Sequence, residues 1–277
     1  IAVHTSPGEE VICDKLSHIY NYEGGGIARL SGASVRLLNG DLGRFSATDV
    51  RSNVNPLDSH YAKTSLVSLE DTCNKGGGSI WDLSELNEVS RVSRELGLAT
   101  HLDGARLWNA LVARGIHNDA EALHAYGANF DSMSLCLSKG LGCPVGSVLV
   151  GSKSFIAQAH RARKVFGGGM RQAGIVAAAG LYALENNIDR LEIDHSRAKR
   201  LGAAALHHPS VISHAPIDTN IVILKLKKGV DSDALSSEWG RNGIECFQFG
   251  PSSIRFVTHL DNTDDQVDGA CHYLSNI

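Results

Sequence analysis

The stretch FDSMSLCLSKGLGCPVG, residues 130–146, decides how the rest of the chain is interpreted. It predicts a buried strand that runs into a single lysine, Lys139, and then breaks at once into Gly140, Gly142 and Pro144. A charged side chain directly after an apolar strand is costly to desolvate unless it has a partner or a chemical task, and glycines beside it let another molecule approach the backbone. The pattern fits a lysine that forms a Schiff base with pyridoxal phosphate. On this stretch alone, a lysine that ends a strand and points into water is the simpler interpretation.

The composition describes a chain that can bury a full core but has no evident preference for a charged partner. The chain has 277 residues, 43% of them hydrophobic and 20% charged, which is enough for one large domain or two unequal ones. Its formal net charge of −4 gives no reason to expect nucleic acid or an anionic membrane as a partner. The longest apolar run, residues 173–184, is too short to cross a bilayer, and no signal peptide is recognisable.

The cysteines indicate a reducing compartment. They show no CxxC pair and no Cys/His metal spacing; the six are Cys13, Cys73, Cys136, Cys143, Cys246 and Cys271. We therefore expect free thiols in a cytoplasmic protein and no metal site. The chain begins at Ile1 without Met and without an opening helix or strand, so we expect an N-terminally incomplete protein.

The order of predicted elements indicates an α/β fold. Strands and helices alternate up to about residue 206, which predicts a mainly parallel sheet covered on both faces. The clearest helix, residues 83–96, has apolar residues on one face, a capping-box start at Asp82 and Glu85, and an end at Gly97. From about Pro209 the pattern changes to a compact α+β arrangement. We therefore predict a large domain over residues 1–208 and a smaller C-terminal domain over residues 209–277.

Polar side chains stand where three predicted strands end, and ligands of parallel α/β sheets bind beyond such ends. They are the segment 70–73, Asp103 and Lys139. A pyridoxal cofactor needs a carboxylate at its ring nitrogen, which Asp103 could supply, with Arg106 within the next turn. Capping of the following helix is an alternative and sufficient role for Asp103.

Three segments resemble the signature segments of a known family: HLDGARLWNA (101–110), LSKGLGCPVGSVLVGS (137–152) and RKVFGGGMRQAG (163–174). They are similar to those of the low-specificity L-threonine aldolases, in the pyridoxal-phosphate-dependent β-eliminating lyase and threonine aldolase group. The resemblance implies the aspartate-aminotransferase-like fold type I, with a mainly parallel sheet and a smaller C-terminal α+β domain. It implies cleavage of β-hydroxy-α-amino acids, L-threonine or L-allo-threonine, to glycine and an aldehyde. It also implies a homotetramer of paired dimers.

The resemblance further implies roles for single residues around the cofactor, pyridoxal 5′-phosphate. Lys139 would form the Schiff base, Asp103 would hold the ring nitrogen and Arg106 would reach the ring hydroxyl. His18, in SHIYNYEGGG, would stack on the ring face and assist proton transfer; without the resemblance it is interpreted as a histidine at a helix end. Ser138 would lie close to the phosphate.

The resemblance also implies residues for the substrate and for the phosphate. Arg255, with Arg106 beside it, would bind the substrate carboxylate through its bidentate fork, or else be a surface arginine on a strand. Lys164 and Arg171 flank Gly167–Gly169 and would reach the phosphate region of a neighbouring subunit. A glycine linker with ordinary basic flanks is the alternative for that segment.

Two departures from the family pattern leave other functions open. Where the family commonly has a histidine facing the substrate hydroxyl, the segment EDTCN has Cys73, which the resemblance therefore implies as a substrate-binding residue. The ordinary thiol pKa of about 8.5 makes it a different base. The family's N-terminal arm and Gly-Thr phosphate loop would precede Ile1. β-Elimination or racemisation with the same cofactor, or a non-catalytic chain without the phosphate loop, are therefore alternatives to aldol cleavage.

Overall fold

The computed structural model describes residues 1–276, and two β-sheets organise it. The first sheet has six strands in the order β2-β1-β3-β4-β5-β6. Neighbouring strands pair in parallel except β5 and β6, which are antiparallel. The strands are β1 (Glu10–Asp14), β2 (Ser34–Leu38), β3 (Thr64–Glu70), β4 (Ala99–Gly104), β5 (Ser132–Cys136) and β6 (Ser147–Gly151). The predicted mainly parallel α/β sheet is confirmed.

Helices follow these strands in chain order. They are α1 (His18–Asn21), α2 (Ala47–Asn53), α3 (Leu83–Glu95), α4 (Leu107–Ala113), α5 (Ala120–Gly127), α6 (Lys153–Val165), α7 (Gly174–Asn186) and α8 (Leu191–Ala205), with a short π-helical turn at Ile27–Ser31. Side chains from β1, β3 and β4 pack against α3 in one core, where Ile12, Val67, Leu102, Leu86 and Val89 have no exposed surface. Apolar burial of this kind is the main stabilising contribution to such a sheet.

The helix α3 forms for the reasons that its sequence indicates. The Asp82 carboxylate accepts hydrogen bonds from the backbone N–H groups of Ser84 and Glu85, which satisfies donors that the first turn leaves free. Gly97 ends it with a φ of 71°, in the left-handed region. Leu83 is apolar but 38% exposed, because it stands at the first position of the helix.

The second sheet is antiparallel throughout, in the order β7-β8-β10-β9. Its elements are β7 (Val211–His214), β8 (Ile221–Leu226), α9 (Ser232–Arg241), β9 (Phe247–Gln248), β10 (Ser253–Val257) and α10 (Asp264–Ser275). Trp239 is fully buried in its core and stacks on Phe256, with ring centroids 5.6 Å apart. Ala198 and Leu201 of α8 belong to the same core. The domain boundary at residue 208 stays a prediction, since α8 packs with the elements that follow it.

A loop that follows β3 joins the two sheets. The Thr219 hydroxyl donates to the carbonyl of Gly78 at 2.9 Å. Gly78 has a φ of 75°, and a Cβ atom there would lie 2.5 Å from Thr219 Oγ1. The loop can therefore approach the second sheet this closely only with glycine at this position.

The structure also bears on two further expectations, the state of the cysteines and the absence of a membrane-spanning helix. All six cysteines are free thiols. Within residues 1–276, no helix has the length and apolar character needed to cross a membrane.

Candidate active site

Several of the predicted site residues lie at or beyond the carboxyl edge of the first sheet, next to a cavity of about 260 Å³. Arg106, Ser138 and Lys139 line this cavity from the side of the first sheet, and Asn220 and His259 line it from the side of the second. The cavity therefore lies where the two sheets face each other, as expected for a ligand of a parallel α/β sheet.

Lys139 lies in a turn beyond β5 rather than directly at the end of a buried strand. β5 ends at Cys136 and is mostly half-buried, so the predicted buried strand running into Lys139 is wrong in both respects. The turn closes by a hydrogen bond from the Gly142 N–H to the Lys139 carbonyl at 2.9 Å, with Gly142 at a φ of 73°. The side chains of Lys139 and Ser138 are exposed toward the cavity, which leaves the Lys139 amine accessible.

Asp103 lies on β4, paired with Glu70 of β3. Among residues 1–276 its carboxylate accepts one hydrogen bond, from the Ala105 N–H at 3.1 Å. The helix α4 begins later, at Leu107, so Asp103 does not cap it. Burial raises the pKa of Asp103, and the nearby charges of His18 and Lys139 act in the opposite direction. A carboxylate in this position, with acceptor capacity left, fits the ring nitrogen of a pyridoxal cofactor.

Glu70 is a buried carboxylate that sequence analysis noted at a strand end but gave no role. Its two oxygens accept backbone hydrogen bonds from His18 at 2.8 Å and from Asn74 at 2.9 Å. Burial, and then the charge of Asp103, raise the pKa of Glu70 to about 7. Glu70 therefore fixes the backbone of two site segments that are far apart in the sequence.

His18 begins the short helix α1 and is half-buried. Its ring Nδ1 lies 3.1 Å from the Glu23 carboxylate, and its ring centroid lies 4.9 Å from that of Tyr22. The pairing with Glu23 orients the imidazole and favours a proton on Nδ1.

Two arginines meet at a single amide oxygen. Arg255 of β10 donates from Nη1 to Asn74 Oδ1 at 2.8 Å, and Arg106 donates to the same oxygen at 3.4 Å. The Arg255 guanidinium also lies 4.9 Å from the ring centroid of Phe249. Burial, and then the charge of Arg255, lower the pKa of Arg106, and burial lowers the pKa of Arg255. Because the acceptor is neutral, both positive charges remain free to bind an anion.

Cys73 lies on the side of the β3 loop that packs into the protein. Its side chain has no exposed surface, and a Cβ atom at Gly43 would lie 2.3 Å from the thiol sulfur. Burial raises the pKa of Cys73 far above its ordinary value, and the charge of Glu70 adds to this effect. Cys73 is not among the residues that line the cavity containing Lys139. A thiol in this environment stays protonated.

The remaining predicted residues lie outside this cluster. Lys164 stands in the last turn of α6 and Arg171 precedes α7, both exposed. Phe166, just beyond α6, faces Ile19 and Ile27 across a separate small cavity. No described contact joins Lys164 or Arg171 to Lys139, Asp103 or Arg106. Their expected role at the phosphate of a neighbouring subunit stays a prediction.

The cluster fits pyridoxal 5′-phosphate in its chemistry. Lys139 offers an accessible amine for the cofactor aldehyde, Asp103 offers a carboxylate for the ring nitrogen and Arg106 offers a donor for the ring hydroxyl. Asn74, His259 and Asn220 are residues of this region that sequence analysis missed. Asn74 had a weak signal, because it directly follows the strand-end segment 70–73.

Comparison with known proteins finds relatives of this chain in one family. The sequence model of the family described as beta-eliminating lyase matches residues 1–228. A low-specificity L-threonine aldolase of Candida albicans is 38% identical over 266 residues, which cover 95% of this chain and 68% of that protein. A low specificity L-threonine aldolase of Escherichia coli (strain K12) is 38% identical over 272 residues, 98% of this chain and 78% of that protein.

A solved structure shows the same fold. The crystal structure of a putative L-allo-threonine aldolase from Listeria monocytogenes superposes with a TM-score of 0.78 and 22% identity, covering 96% of this chain and 74% of that one. The fold that the sequence resemblance implied, the aspartate-aminotransferase-like fold type I, is thereby confirmed. The chain belongs to the beta-eliminating lyase family.

Proposed function

We propose that this protein is a pyridoxal-phosphate-dependent lyase that cleaves β-hydroxy-α-amino acids, such as L-threonine or L-allo-threonine, into glycine and an aldehyde. The relatives named above support this reaction type. One structural observation carries the proposal. Arg255 and Arg106 both donate to the neutral side-chain amide of Asn74, and Arg106 lines the same cavity as Lys139. An amino acid has a carboxylate that the arginines would bind and an amine that would take the place of the Lys139 amine on a bound cofactor.

Each residue of the cluster has a task in this reaction. The bound cofactor supplies the electron sink for the bonds at Cα of the substrate. Lys139 would hold the cofactor at its aldehyde carbon, and Asp103 would keep the ring nitrogen protonated. Arg106 would donate to the ring hydroxyl, while Arg255 would bind the substrate carboxylate. Holding these groups in fixed positions lowers the entropic cost of the reaction.

The reaction needs a base for the substrate β-hydroxyl. Cys73 does not serve, because its buried thiol stays protonated. We assign this task to His18, whose Nδ1 pairs with Glu23 and whose other ring nitrogen is left to accept a proton. The hydroxyl proton moves to His18, the electron pair of the Cα–Cβ bond stays with Cα and the aldehyde leaves. The return of this proton from His18 to Cα then completes glycine and restores the base.

We further propose a homotetramer of paired dimers in the cytoplasm, which supplies glycine. Exposed apolar residues near the ends of α6 and α7 support an interface between copies, since Val165 is 81% and Ile175 82% exposed. Free thiols at all six cysteines support a reducing compartment. Lys164, Arg171 and Ser138 would contact the cofactor phosphate, the first two from a neighbouring subunit. Light scattering after size-exclusion chromatography tests the assembly.

Product analysis tests the proposed reaction. The protein, loaded with pyridoxal 5′-phosphate, is incubated separately with L-threonine and L-allo-threonine, and acetaldehyde and glycine are quantified. We expect equal amounts of the two products, and we expect Arg255→Leu to raise the KM for both substrates. Ammonia and a keto acid without glycine would instead show elimination, and absence of any product would overturn the proposal.

A further inference from the structure

Asn74 occupies a position that orients the proposed substrate-binding arginines. Its side-chain oxygen accepts from Arg255 at 2.8 Å and from Arg106 at 3.4 Å. Arg255 belongs to β10 of the second sheet, and Arg106 lies in the turn between β4 of the first sheet and α4, so one amide joins a residue of the second sheet to a turn of the first. Neither guanidinium forms an ion pair with a carboxylate among residues 1–276.

The backbone around Asn74 is itself fixed. Its N–H donates to Glu70 Oε1 at 2.9 Å, and its carbonyl accepts from the Gly77 N–H at 3.2 Å. Glu70 is only 4% exposed, so this anchor is held within the first sheet. A short side chain on a fixed backbone has little rotamer freedom, and Asn74 therefore holds its oxygen at a defined point.

The chemistry of the acceptor explains why an amide suits this position. A carboxylate would orient the two guanidiniums equally well, but it would pair with them and compete with any incoming anion. An amide oxygen fixes their direction and leaves both charges available. The Nε atom of Arg255 is buried without a hydrogen-bond partner, which leaves the guanidinium fork incompletely satisfied.

We propose that Asn74 is a positioning residue that orients Arg255 and Arg106 toward the substrate carboxylate and selects ligands that carry one. This inference rests on the proposed function and deepens it. It predicts that changes at Asn74 weaken the binding of carboxylate-bearing amino acids and spare their uncharged amides. A purely structural role would weaken both classes alike.

Equilibrium titrations of the cofactor-loaded protein test the proposal. Glycine and glycinamide are titrated into the wild type, Asn74→Ala and Asn74→Asp, and the change in cofactor absorbance gives each Kd. We expect Asn74→Ala to raise the Kd of glycine about 10-fold and Asn74→Asp about 100-fold, because the new carboxylate occupies the arginines. The Kd of glycinamide should change by less than about 3-fold in both variants.

Asn55→Ala is the matched control. Asn55 Oδ1 accepts a hydrogen bond from Arg36 Nη2 at 3.1 Å, the same kind of contact, close to Glu10 at the opposite edge of the first sheet. We expect this variant to leave both Kd values unchanged. Equal losses for glycine and glycinamide, or an unchanged Kd of glycine in both Asn74 variants, would overturn the proposal. If wild-type protein gives no glycine-dependent signal, the proposed function fails and this inference fails with it.

Discussion

Replacement of Arg114 by methionine tests whether the loop after β3 depends on a buried charge pair. Arg114 Nη2 lies 2.8 Å from Asp71 Oδ2, and the side chains are 7% and 0% exposed. The same nitrogen donates to the Trp81 carbonyl at 2.6 Å, and Tyr126 donates its hydroxyl to Asp71 at 2.8 Å. Arg114→Met removes the charge and keeps most of the apolar volume.

The expected loss of stability follows from the contacts that Asp71 keeps in this variant. Among residues 1–276 the Tyr126 hydroxyl is then the remaining side-chain donor to the buried Asp71 carboxylate, and removing one partner of a buried pair costs about 3–5 kcal/mol. Tyr126→Phe removes one hydrogen bond to a charged group and should cost about 1.5–3 kcal/mol. Domains of ordinary stability have about 5–15 kcal/mol in total. We therefore expect Arg114→Met to lower the free energy of unfolding by a large fraction.

Urea unfolding followed by tryptophan fluorescence measures these differences. Arg51→Met is the matched control, because Arg51 pairs with Glu95 at 2.5 Å with both side chains more than 40% exposed, where a pair contributes less than about 1 kcal/mol. The double variant Asp71→Leu/Arg114→Met should recover part of the loss, since it leaves no isolated charge. If Arg114→Met costs no more than Arg51→Met, the reasoning about burial is refuted.

Three further predictions concern the site itself. Lys139→Ala should abolish the visible absorbance of the bound cofactor and all turnover; an unchanged spectrum would contradict the assigned lysine. Cys73→His should lower the free energy of unfolding by about 1–3 kcal/mol in urea, because Gly43 leaves no room for a ring, and should not raise aldol cleavage; higher activity at full stability would speak against the buried position. Because of Glu70, the free energy of unfolding should fall as the pH rises. Its pKa of about 7 in the folded protein exceeds the ordinary value of 4.5, so the stabilisation is complete below about pH 4.5 and is lost by about pH 7. At about 1.4 kcal/mol per pH unit the loss is roughly 3 kcal/mol; in Glu70→Gln this dependence should disappear, and an unchanged pH profile would count against it.

Local sequence signals were sufficient for most of the fold. The cap at Asp82 and the glycine at Gly97 act within a few residues, so their effects can be read along the chain. The four residues of β7 are held by pairing with β8 and have no strong pattern of their own, so the sequence does not indicate this strand. The end of β5 was misplaced for a similar reason. Leu137 continues the apolar run, but pairing with β6 stops at Cys136.

The residues of the site also fall into those that the local sequence indicates and those that depend on distant contacts. Lys139, Asp103 and Arg106 stand next to strand ends, where a sequence pattern and a family resemblance both indicate them. The role of Asn74 could not be predicted, because its contact joins residues 181 positions apart. The environment of Cys73 could not be predicted either. Its burial depends on Gly43, which belongs to a different loop.

The glycines of the loop after β3 set the distance between the two sheets. Gly78 meets Thr219, and a Cβ atom at Gly77 would lie 3.2 Å from the Cβ of Ala215. Gly77 has a φ of 82° and Gly78 a φ of 75°, so any other residue at either position would strain the backbone. A side chain at either position would push the loop away from the second sheet. Two positions without a side chain thus let the loop that carries Asn74 lie against the sheet that carries Arg255.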